Sequence, residues 1–497
     1  MGEAVVKKKG ISTKEIFAYS FGLFGLQTVI GYMNAYQAQF YNKTMAADLG
    51  IIGIIMLVAK LISSFADPYI GSLIDRSNLK GGKLRPWILV SLVPFLILSV
   101  VIFVVVPFRG IALYCYIFIT FLLWSIAMSF ADIPSQGMLA MLSPQPDDRN
   151  KIAGIANLLK SIGTATALVI VPVVCILTQS EGGAIGRFEY IVSAIAIGLI
   201  GCVLFSLIFF VNRERVPYQS SNVKMKDMFV MLKNNKPLML LFISAILGFG
   251  RGIGTAIQLQ VAAVLVGDVN LFGMTLGGEN TVVILGVTSA VSSIISMALV
   301  PSMTKKWGEK KVFIGMAIYG LAITLLAFIM FVSGVRSLIS ILIMLFFIGL
   351  MYGPHSFLPM VMVADCVDYY ELKSGKRTEG AHYAVLSLSI KLSTALAVAG
   401  GLIMISLSGY NAGMTEFTTA TENVVYFTYV LIPGIGCILA AIPIFFYKLV
   451  GANKKKVVLE LAERRMKMGL VEGENAIDAV TAASEKSNDN EPNGSDN

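Results

Sequence analysis

Acidic side chains stand at a few positions inside long apolar stretches of this sequence. Asp67 comes directly before Pro68, Asp132 comes two residues before Pro134, and Asp75 follows eight positions after Asp67. An ionisable residue inside a membrane span costs about 2.5 to 3.5 kcal/mol on insertion scales, so it usually faces a cavity or a partner. The pattern therefore marks Asp67 as a candidate site residue. Asp75 and the basic residues after it are typical of a gate at the membrane surface.

The composition requires lipid as the solvent for most of the chain. Of 497 residues, 56% are hydrophobic and 14% are charged, and the mean hydropathy is +0.76. A membrane helix needs about 20 mostly apolar residues, whereas barrel strands would be shorter and would alternate with polar residues. The predicted fold is therefore an all-α membrane protein of twelve transmembrane helices. The predicted spans are 16–41, 50–74, 86–107, 110–141, 152–178, 190–211, 238–266, 281–303, 312–334, 338–365, 382–408 and 424–447.

The distribution of Lys and Arg predicts the orientation, because cytoplasmic loops carry the excess. With both termini inside, 31 of the 39 basic residues fall in the inside segments and four fall outside. The remaining four lie within spans. This asymmetry accounts for the net charge of +9, so the charge does not predict a nucleic-acid partner.

A hydrophilic loop at 212–237 divides the predicted spans six and six. Two six-helix halves, 1–211 and 238–448, are the expected architecture, since repeated halves are the usual build of secondary transporters. Residues 449–497 are expected to form a cytoplasmic tail that is first basic and then disordered. The five Cys are scattered without metal-ligand spacing, and no motif of a catalytic nucleophile or phosphate loop occurs. We therefore predict a protein that is not an enzyme and has no cofactor.

Three separated motifs carry a resemblance to a known family. They are DPYIGSLIDR at 67–76 with GKLRPW at 82–87, then DIP at 132–134 leading to DR at 148–149, and finally ADCVDY at 364–369 with GKRTEG at 375–380. In these motifs the chain resembles the glycoside-pentoside-hexuronide:cation symporters of the major facilitator superfamily. The resemblance covers all twelve predicted spans. It implies a multi-pass protein of the cell membrane that moves a small sugar together with a monovalent cation, H⁺ or Na⁺, by alternating access.

The resemblance also implies roles for individual residues. The cation-site carboxylate on helix 2 is kept as Asp67, whereas a second carboxylate of sodium-coupled members falls on Ser63. The acid on helix 4 that contacts sugar hydroxyls is kept as Asp132. Ser129 stands one turn before it and is expected, with Asp67 and Ser63, at the cation site. Lys391 on helix 11 matches a lysine that the family keeps. Two sugar ligands are replaced: the acid on helix 1 falls on Gln27 and the Arg on helix 5 falls on Asn157, with Lys160 one turn further on.

Several of these residues have a structural alternative. Lys391 would lock helix 11 to helix 2 or helix 4 if it paired with Asp67 or Asp132. Lys60 is expected to balance the charge of Asp67 rather than to bind a ligand. Gln27 could hydrogen-bond between helices through its amide and have no contact with the solute. Trp124, two turns before Asp132, either stacks on a sugar ring or packs in the bundle.

Charged residues at the cytoplasmic helix ends are interpreted as a gate, because ion pairs there can close the inward side and break when it opens. The predicted gate residues are Asp75, Arg76, Arg85, Arg149, Asp365, Asp368, Arg377 and Glu379.

The basic residues within the spans bear on the charge of the solute. Two acids stand against four basic residues there, which leaves two positive charges unmatched; the four are Lys60, Lys160, Arg251 and Lys391. A hexuronide would supply a negative charge, with Arg251 or Lys160 on its carboxylate. Alternatively, Arg251 bonds a helix-end carbonyl and does not touch the solute.

The function expected from the sequence is import of a glycoside or related sugar by symport with a proton or sodium ion. Because Ser63 replaces one carboxylate, the site has one negative charge, which favours a proton. Two other functions stay open. One is a lysolipid transporter of similar fold, and the other is a non-transporting sugar sensor that signals through its tail.

Overall fold

A computed structural model describes residues 11–467, apart from 78, 80, 143–145, 179–184, 216–224, 272–273, 376–378, 412–413 and 415. Within these ranges the chain is a bundle of α-helices with one short hairpin. The helices are α1 Thr13–Met45, α2 Leu49–Arg76, α3 Arg85–Val101, α4 Ile111–Leu142, α5 Pro146–Leu177, α6 Arg187–Val211, α7 Met225–Asn234, α8 Lys236–Leu247, α9 Ile253–Ala256, α10 Gln258–Val261, α11 Val282–Trp307, α12 Glu309–Val332, α13 Leu338–Gly349, α14 Tyr352–Ser374, α15 Glu379–Leu407, α16 Thr419–Tyr426, α17 Ile432–Phe445 and α18 Gly451–Lys467.

The prediction of a helical membrane protein is confirmed. Eleven helical stretches in the described ranges are long and apolar enough to cross a membrane, and α3 is apolar but only 17 residues long. The count of twelve and the orientation of the termini stay predictions. The expectation of a purely α-helical chain needs a small correction, because Val269–Leu271 and Met274–Leu276 form an antiparallel hairpin.

The predicted span at 238–266 is broken into short pieces. After α8, Gly248–Gly252 forms a 3-10 turn, and α9 and α10 then follow with a break at Ile257. Ala262–Val266 is a π-helical turn. Glycines at 248, 250, 252 and 254 lower the helix propensity of this stretch, and such interruptions in membrane helices often mark functional sites.

Glycines bring α1 close to its neighbours α5 and α6. A Cβ on Gly25 would lie 2.5 Å from the Gly201 carbonyl oxygen of α6, and a Cβ on Gly163 of α5 would lie 2.6 Å from the Phe24 oxygen. Small residues allow such close backbone approach in membranes, where packing and hydrogen bonds must hold helices together. The helices α5 and α6 therefore pack closely against α1. We call α1 to α6 the N-terminal helices.

A basic side chain at the start of one helix bonds carbonyl oxygens at the end of another helix, once among the N-terminal helices and once among the later ones. We call each of these contacts a brace. Arg85, in the first turn of α3, donates from Nε to the Phe209 carbonyl oxygen near the end of α6 at 3.2 Å. Lys310, in the first turn of α12, donates to the carbonyl oxygens of Phe445, the last residue of α17, and of Tyr447 just after it, at 2.8 and 3.0 Å. Carbonyls at a helix C-terminus lack intrahelical donors and carry partial negative charge, so a cation satisfies them.

A substitution at Gly25 tests the importance of close packing around α1. We expect Gly25→Ala to lower the free energy of unfolding by about 1 to 3 kcal/mol, because the added methyl group meets backbone atoms that have little room to shift. The measurement is thermal unfolding of the purified protein in detergent. Gly315→Ala on α12 is the matched control, since nothing lies within 4 Å of its added Cβ. Equal stability of the two variants would show that this contact does not limit packing.

Candidate functional site

An ion pair between Asp67 and Lys391 joins helices that are far apart in the sequence. Asp67 lies in the second half of α2 and Lys391 in the first half of α15, and the Lys391 ammonium contacts Asp67 Oδ2. The Asp67 side chain is 19% exposed and the Lys391 side chain is 30% exposed. The other carboxylate oxygen, Asp67 Oδ1, is buried and has no hydrogen-bond partner. The carboxylate is thus only half satisfied, in a place that solvent partly reaches.

A stripe along α2 places Asp67 opposite α15. Gly53, Lys60 and Asp67 are spaced by seven residues, about two helical turns, and therefore lie on one face. At Gly53 a Cβ would lie 3.1 Å from the Ala399 carbonyl oxygen of α15, so the helices nearly touch there. Lys60 is half-buried on this face. The structure therefore places Lys60, Asp67 and Lys391 along the contact of α2 with α15, and it joins Asp67 and Lys391 directly.

The partner of Asp67 is Lys391 and not Lys60. The expectation that Lys60 balances Asp67 is wrong, because no carboxylate contacts the Lys60 ammonium among the described residues. The distance along the helix explains this outcome: Lys60 and Asp67 are two turns apart, about 10 Å of rise. Lys391 reaches Asp67 directly from α15.

The two serines predicted as cation ligands each donate a hydrogen bond from the hydroxyl to the backbone of their own helix. Ser63 donates to the Lys60 carbonyl oxygen at 3.0 Å, and Ser129 donates to the Ser125 carbonyl oxygen at 3.2 Å. Both serines are buried. Their lone pairs can still accept or coordinate, but each hydroxyl proton is already used. Their role as cation ligands stays a prediction.

Asp132 on α4 is held by local contacts. Its Oδ2 accepts a hydrogen bond from Gln136 Nε2 at 2.7 Å, one turn further along. Its carbonyl oxygen accepts from the Ser135 hydroxyl at 2.8 Å, and the Tyr19 hydroxyl of α1 donates to the Ser135 carbonyl oxygen at 3.0 Å. Pro134 supplies no amide donor. Asp132 is half-buried, so its carboxylate can accept hydrogen bonds from a solute.

The remaining polar candidates among the N-terminal helices lie on α1 and α5, which pack closely. Gln27 on α1 and Lys160 on α5 are half-buried, and Asn157 is exposed. The close contact of Gly163 with Phe24 places these stretches beside each other. No side chain among the described residues bonds the Lys160 ammonium or the Gln27 amide. Both groups therefore remain able to bind a polar solute.

Asn34 was not predicted as a site residue. It lies seven residues after Gln27, hence on the same face of α1, and it is exposed between Tyr32 and Tyr36, which are fully buried. A polar, exposed side chain in the middle of a buried helix is typical of a cavity wall. The signal in the sequence was an Asn inside an apolar span.

Trp124 does not belong to a polar site. Its side chain is 1% exposed, its Nε1 donates to the Ser99 hydroxyl at 3.0 Å, and its ring stacks between Phe95 and Phe121 with centroids 6.0 Å apart in both cases. We therefore correct its assignment as a sugar ligand: it packs α4 against α3. The indole fits there because Ser99 satisfies its only donor.

Arg251 is engaged by the backbone. Its Nε donates to the Gly248 carbonyl oxygen at 3.0 Å, and its Nη1 donates to the His355 carbonyl oxygen of α14 at 3.2 Å. Close approach at Gly436 of α17 holds this turn in place, since a Cβ there would lie 2.9 Å from the Arg251 nitrogen. The assignment of Arg251 as the ligand of a solute carboxylate is therefore replaced by its alternative, carbonyl binding. Pro359 has no amide hydrogen to donate to the His355 carbonyl oxygen one turn earlier in α14, and the guanidinium supplies a donor instead.

Two predicted gate residues make their described contacts within one group of helices. Arg85 belongs to the α3–α6 brace, and Asp365 on α14 pairs with Lys454 on α18 at 2.8 Å. Lys454 also pairs with Glu309 at 2.9 Å. Burial lowers the pKa of Lys454, but the Asp365 and Glu309 carboxylates outweigh burial and raise it. In this structure both side chains thus contact neighbours from their own group of helices, and their role in a gate stays a prediction.

For the other predicted gate residues, the role in a gate remains a prediction. Arg76 is exposed at the end of α2, and Asp368 makes interactions on α14. Arg377 lies outside the described residues. The structure gives no side-chain description for the last three, Asp75, Arg149 and Glu379.

A polar network at the opposite end of the bundle was missed by the sequence reasoning. Lys43 at the end of α1 pairs with Glu279 at 2.8 Å. Gln39 Nε2 donates to Glu279 Oε1 and to the Tyr410 hydroxyl, both at 3.0 Å, while Gln39 Oε1 accepts from Gln260 Nε2 at 3.1 Å. We call these five residues the Lys43 network. It joins α1 to three segments of the second half of the sequence. The sequence features that could have indicated it are Gln39 and Lys43 at the end of a predicted span and the single Glu of a distant loop, Glu279.

Comparisons with known proteins give a consistent result. Residues 18–451 match the family described as MFS/sugar transport protein. A glucuronide carrier protein homolog of Escherichia coli (strain K12) is 26% identical over 458 residues, covering 92% of this chain and 96% of the relative. An isoprimeverose transporter of Lactiplantibacillus pentosus is 24% identical over 468 residues, covering 93% and 94%. The crystal structure of the nucleoside transporter NupG aligns with a TM-score of 0.58 and 13% identity over 88% of this chain and 100% of NupG, which shows a shared fold.

A double-mutant cycle tests the energetic coupling of Asp67 and Lys391. We expect Asp67→Asn and Lys391→Gln each to lower the free energy of unfolding by about 1 to 3 kcal/mol, because each leaves a charge without its partner. The double variant should lose much less than the sum. The measurement is thermal unfolding in detergent for the four proteins.

Lys456 and Glu460 on α18 provide the matched control. They form an exposed pair at 3.8 Å, for which the coupling should be about 0 to 0.5 kcal/mol. A coupling between Asp67 and Lys391 as small as this would contradict an important role for their ion pair.

Proposed function

Because the chain belongs to the MFS/sugar transport protein family, we propose that it imports a glycoside or related sugar by symport with a proton, through alternating access. Membership in this family confirms the resemblance found in the motifs and the prediction of a multi-pass transport protein of the cell membrane that is not an enzyme. The names of the two relatives, a glucuronide carrier homolog and an isoprimeverose transporter, support a sugar as the solute.

The half-satisfied carboxylate of Asp67 carries the proposal for the coupling ion. Oδ2 contacts Lys391, and the buried Oδ1 lacks a partner. A buried polar atom without a hydrogen bond is costly, and binding of a proton removes the charge of the group. Sodium fits this site less well, because Ser63 replaces a carboxylate and the two nearby groups of Lys60 and Lys391 are cationic.

Protonation of Asp67 changes the contact between α2 and α15. The neutral acid loses the Coulomb attraction that holds the Lys391 ammonium. The charged residues on the helices packed against α2 are Lys391 and, at the start of the helix, Glu379 on α15, and Asp132 on α4. Those of α1 lie at its two ends, at Lys14, Glu15 and Lys43. Protonation therefore frees Lys391 in the interface between the two groups of helices.

Solute binding is assigned to the polar groups on the N-terminal helices. Asp132, Gln27, Asn157 and Lys160 offer acceptors and donors that a sugar requires, and Asn34 continues the face of Gln27. A site near the middle of the membrane, between two groups of helices, is usual for secondary transporters. Linkage is reciprocal, so if the proton on Asp67 favours solute binding, the solute favours the proton.

The Lys43 network is proposed as the extracellular gate. With both termini in the cytoplasm, the connection from α1 to α2 lies outside, and the network joins the N-terminal helices to the later ones at that side. A second contact there is the bond from the Ser406 hydroxyl of α15 to Asp48 Oδ2 at 2.9 Å. Exchangeable polar contacts of this kind can break and form again as the halves move.

The coupling ion is tested with purified protein in liposomes. An imposed pH gradient, alkaline inside, should drive accumulation of methyl β-glucoside, whereas a sodium gradient should not, because one carboxylate among cations binds a proton better than sodium. Asp67→Asn should abolish accumulation and retain exchange, since the amide resembles the protonated acid. Protein content of the vesicles must be equal. Uptake that responds to sodium and ignores the pH gradient would refute proton coupling.

A cross-link tests the extracellular gate. Lys43→Cys with Glu279→Cys, joined by a short bifunctional thiol reagent, should stop uptake, because the two groups of helices can no longer separate at this end. Each single Cys variant treated with the same reagent is the control, and it should retain activity. Full transport by the cross-linked double variant would show that this contact does not open during the cycle.

A further inference from the structure

The contact between α2 and α15 is tight at one end and open at the other. In the second turn of α2, a Cβ on Gly53 would lie 3.1 Å from the Ala399 carbonyl oxygen of α15. Gly71 lies about five turns further along the same face of α2. A Cβ there would have no atom of the described residues within 4 Å. The two helices therefore separate towards the end of α2, away from the Lys43 network that precedes its start.

The contact between α5 and α11 opens in the same direction. A Cβ on Gly286 of α11 would lie 2.7 Å from Leu168 Cδ1 of α5. Glu279 of the Lys43 network comes seven residues before Gly286, so this tight contact is also at the network end. Near the start of α5, Gly154 is exposed, and no atom of the described residues lies within 4 Å of a Cβ built on it. Both contacts between the two groups of helices are thus closed at the network end and open at the opposite end.

The open part of α5 has a face suited to close packing. Gly154, Ser161 and Leu168 are spaced by seven residues, about two turns, and so lie on one face. Ser161 is exposed, and its hydroxyl donates to the Asn157 carbonyl oxygen of its own helix at 3.1 Å. Small residues allow helices to approach closely in a membrane. This face therefore continues the contact at Leu168 with a surface of the kind that packs against a helix.

The matching part of α11 is also uncovered. Ser293 and Met297 follow Gly286 by about two and three turns on the same face. Ser293 is partly exposed and Met297 is 43% exposed. The two helices are the fifth and the eighth predicted spans, so they run in opposite directions. Starting from the tight contact, Ser293 on α11 is therefore as far along as Ser161 on α5.

We propose that the face of α5 at Gly154 and Ser161 is a docking surface for α11, which covers it with Ser293 and Met297 when the open end closes. The inference rests on the proposed transport, and it assigns a contact that seals the end opposite the Lys43 network. The occupant is α11, because the surface is continuous with the contact that α11 already makes at Gly286. These faces carry no charge, so they come together and separate without the desolvation of ions.

The same movement opens the contact at Gly286. Packed helices within a group resist deformation, so each group moves as a unit and the two ends of the α5–α11 contact close in turn. Gly286 leaves room for α5 in the present state, and Gly154 leaves room for α11 in the other state. Side chains added at these two positions therefore favour opposite states.

The test measures the distance between the ends of α5 and α11 that lie away from the network. Lys151 on α5 and Lys305 on α11 are both exposed. Each is replaced by Cys and spin-labelled in the full-length protein in liposomes, and Cys115→Ser removes the exposed native thiol. Double electron–electron resonance then gives the distribution of distances. We expect a longer distance, that of the present structure, and a shorter one from the docked state.

Three leucine substitutions are compared in this labelled protein. Gly154→Leu should reduce the population of the shorter distance by about tenfold or more, because extra atoms disfavour a packed contact. Uptake of methyl β-glucoside should fall with it. Gly286→Leu should shift the population towards the shorter distance, because its side chain meets Leu168 in the present state. Gly315→Leu on α12 is the matched control: it is also exposed, with no atom of the described residues within 4 Å of an added Cβ, and it should change neither distance nor uptake.

A shorter population that persists in Gly154→Leu would overturn the proposal, as would its absence from both the labelled parent and Gly286→Leu. Gly154→Leu should unfold at the same temperature as Gly315→Leu, so that lost uptake does not reflect lost folding. The distances require no sugar. If no sugar is transported by any of these proteins, the proposed function fails, whereas the distances still decide whether α11 docks on α5.

Discussion

The ion pair between Asp67 and Lys391 is the interaction on which the rest of the structure depends. It is a charge pair at membrane depth, and it connects α2 with α15, helices from opposite halves of the sequence. Removing one charge from a buried pair is costly, while neutralising both is tolerated much better. Any ligand that changes the charge on Asp67 therefore changes the contact between the two groups of helices. The same pair can serve as ion site and as contact between the helices.

The contacts around this pair fall into two kinds. Those within each group of helices are rigid: glycines such as Gly25 and Gly163 bring backbones together, and the Arg85 and Lys310 braces cap helix ends with cations. The described hydrogen bonds between the groups join side chains, in the Lys43 network and between Ser406 and Asp48, and the backbones of the two groups come close at Gly53. Packed backbone resists displacement, whereas side-chain hydrogen bonds exchange readily with water. This difference suits a protein whose two groups of helices move as units.

The sequence alone predicted the membrane class, most of the helices and both members of the ion pair. These features depend on local composition or on a charge inside an apolar stretch, and both can be read without knowing the partner. Trp124 and Arg251 were misassigned because their outcome depends on neighbours from other helices, Ser99 in one case and the carbonyl oxygen of His355 in the other. The Lys43 network was missed for the same reason, since Gln39 and Glu279 are 240 residues apart. The hairpin at Val269–Leu271 and Met274–Leu276 arises in a segment too short to give a periodic pattern.

The central claim is that Asp67 takes up a proton when the solute binds. Calorimetry of glycoside binding near neutral pH, repeated in buffers of different ionisation enthalpy, measures the number of protons taken up with each solute molecule. We predict uptake of a substantial fraction of one proton by the wild-type protein and none by Asp67→Asn, which should still bind the glycoside. Binding without proton uptake in the wild type, or equal uptake in both proteins, would contradict this claim.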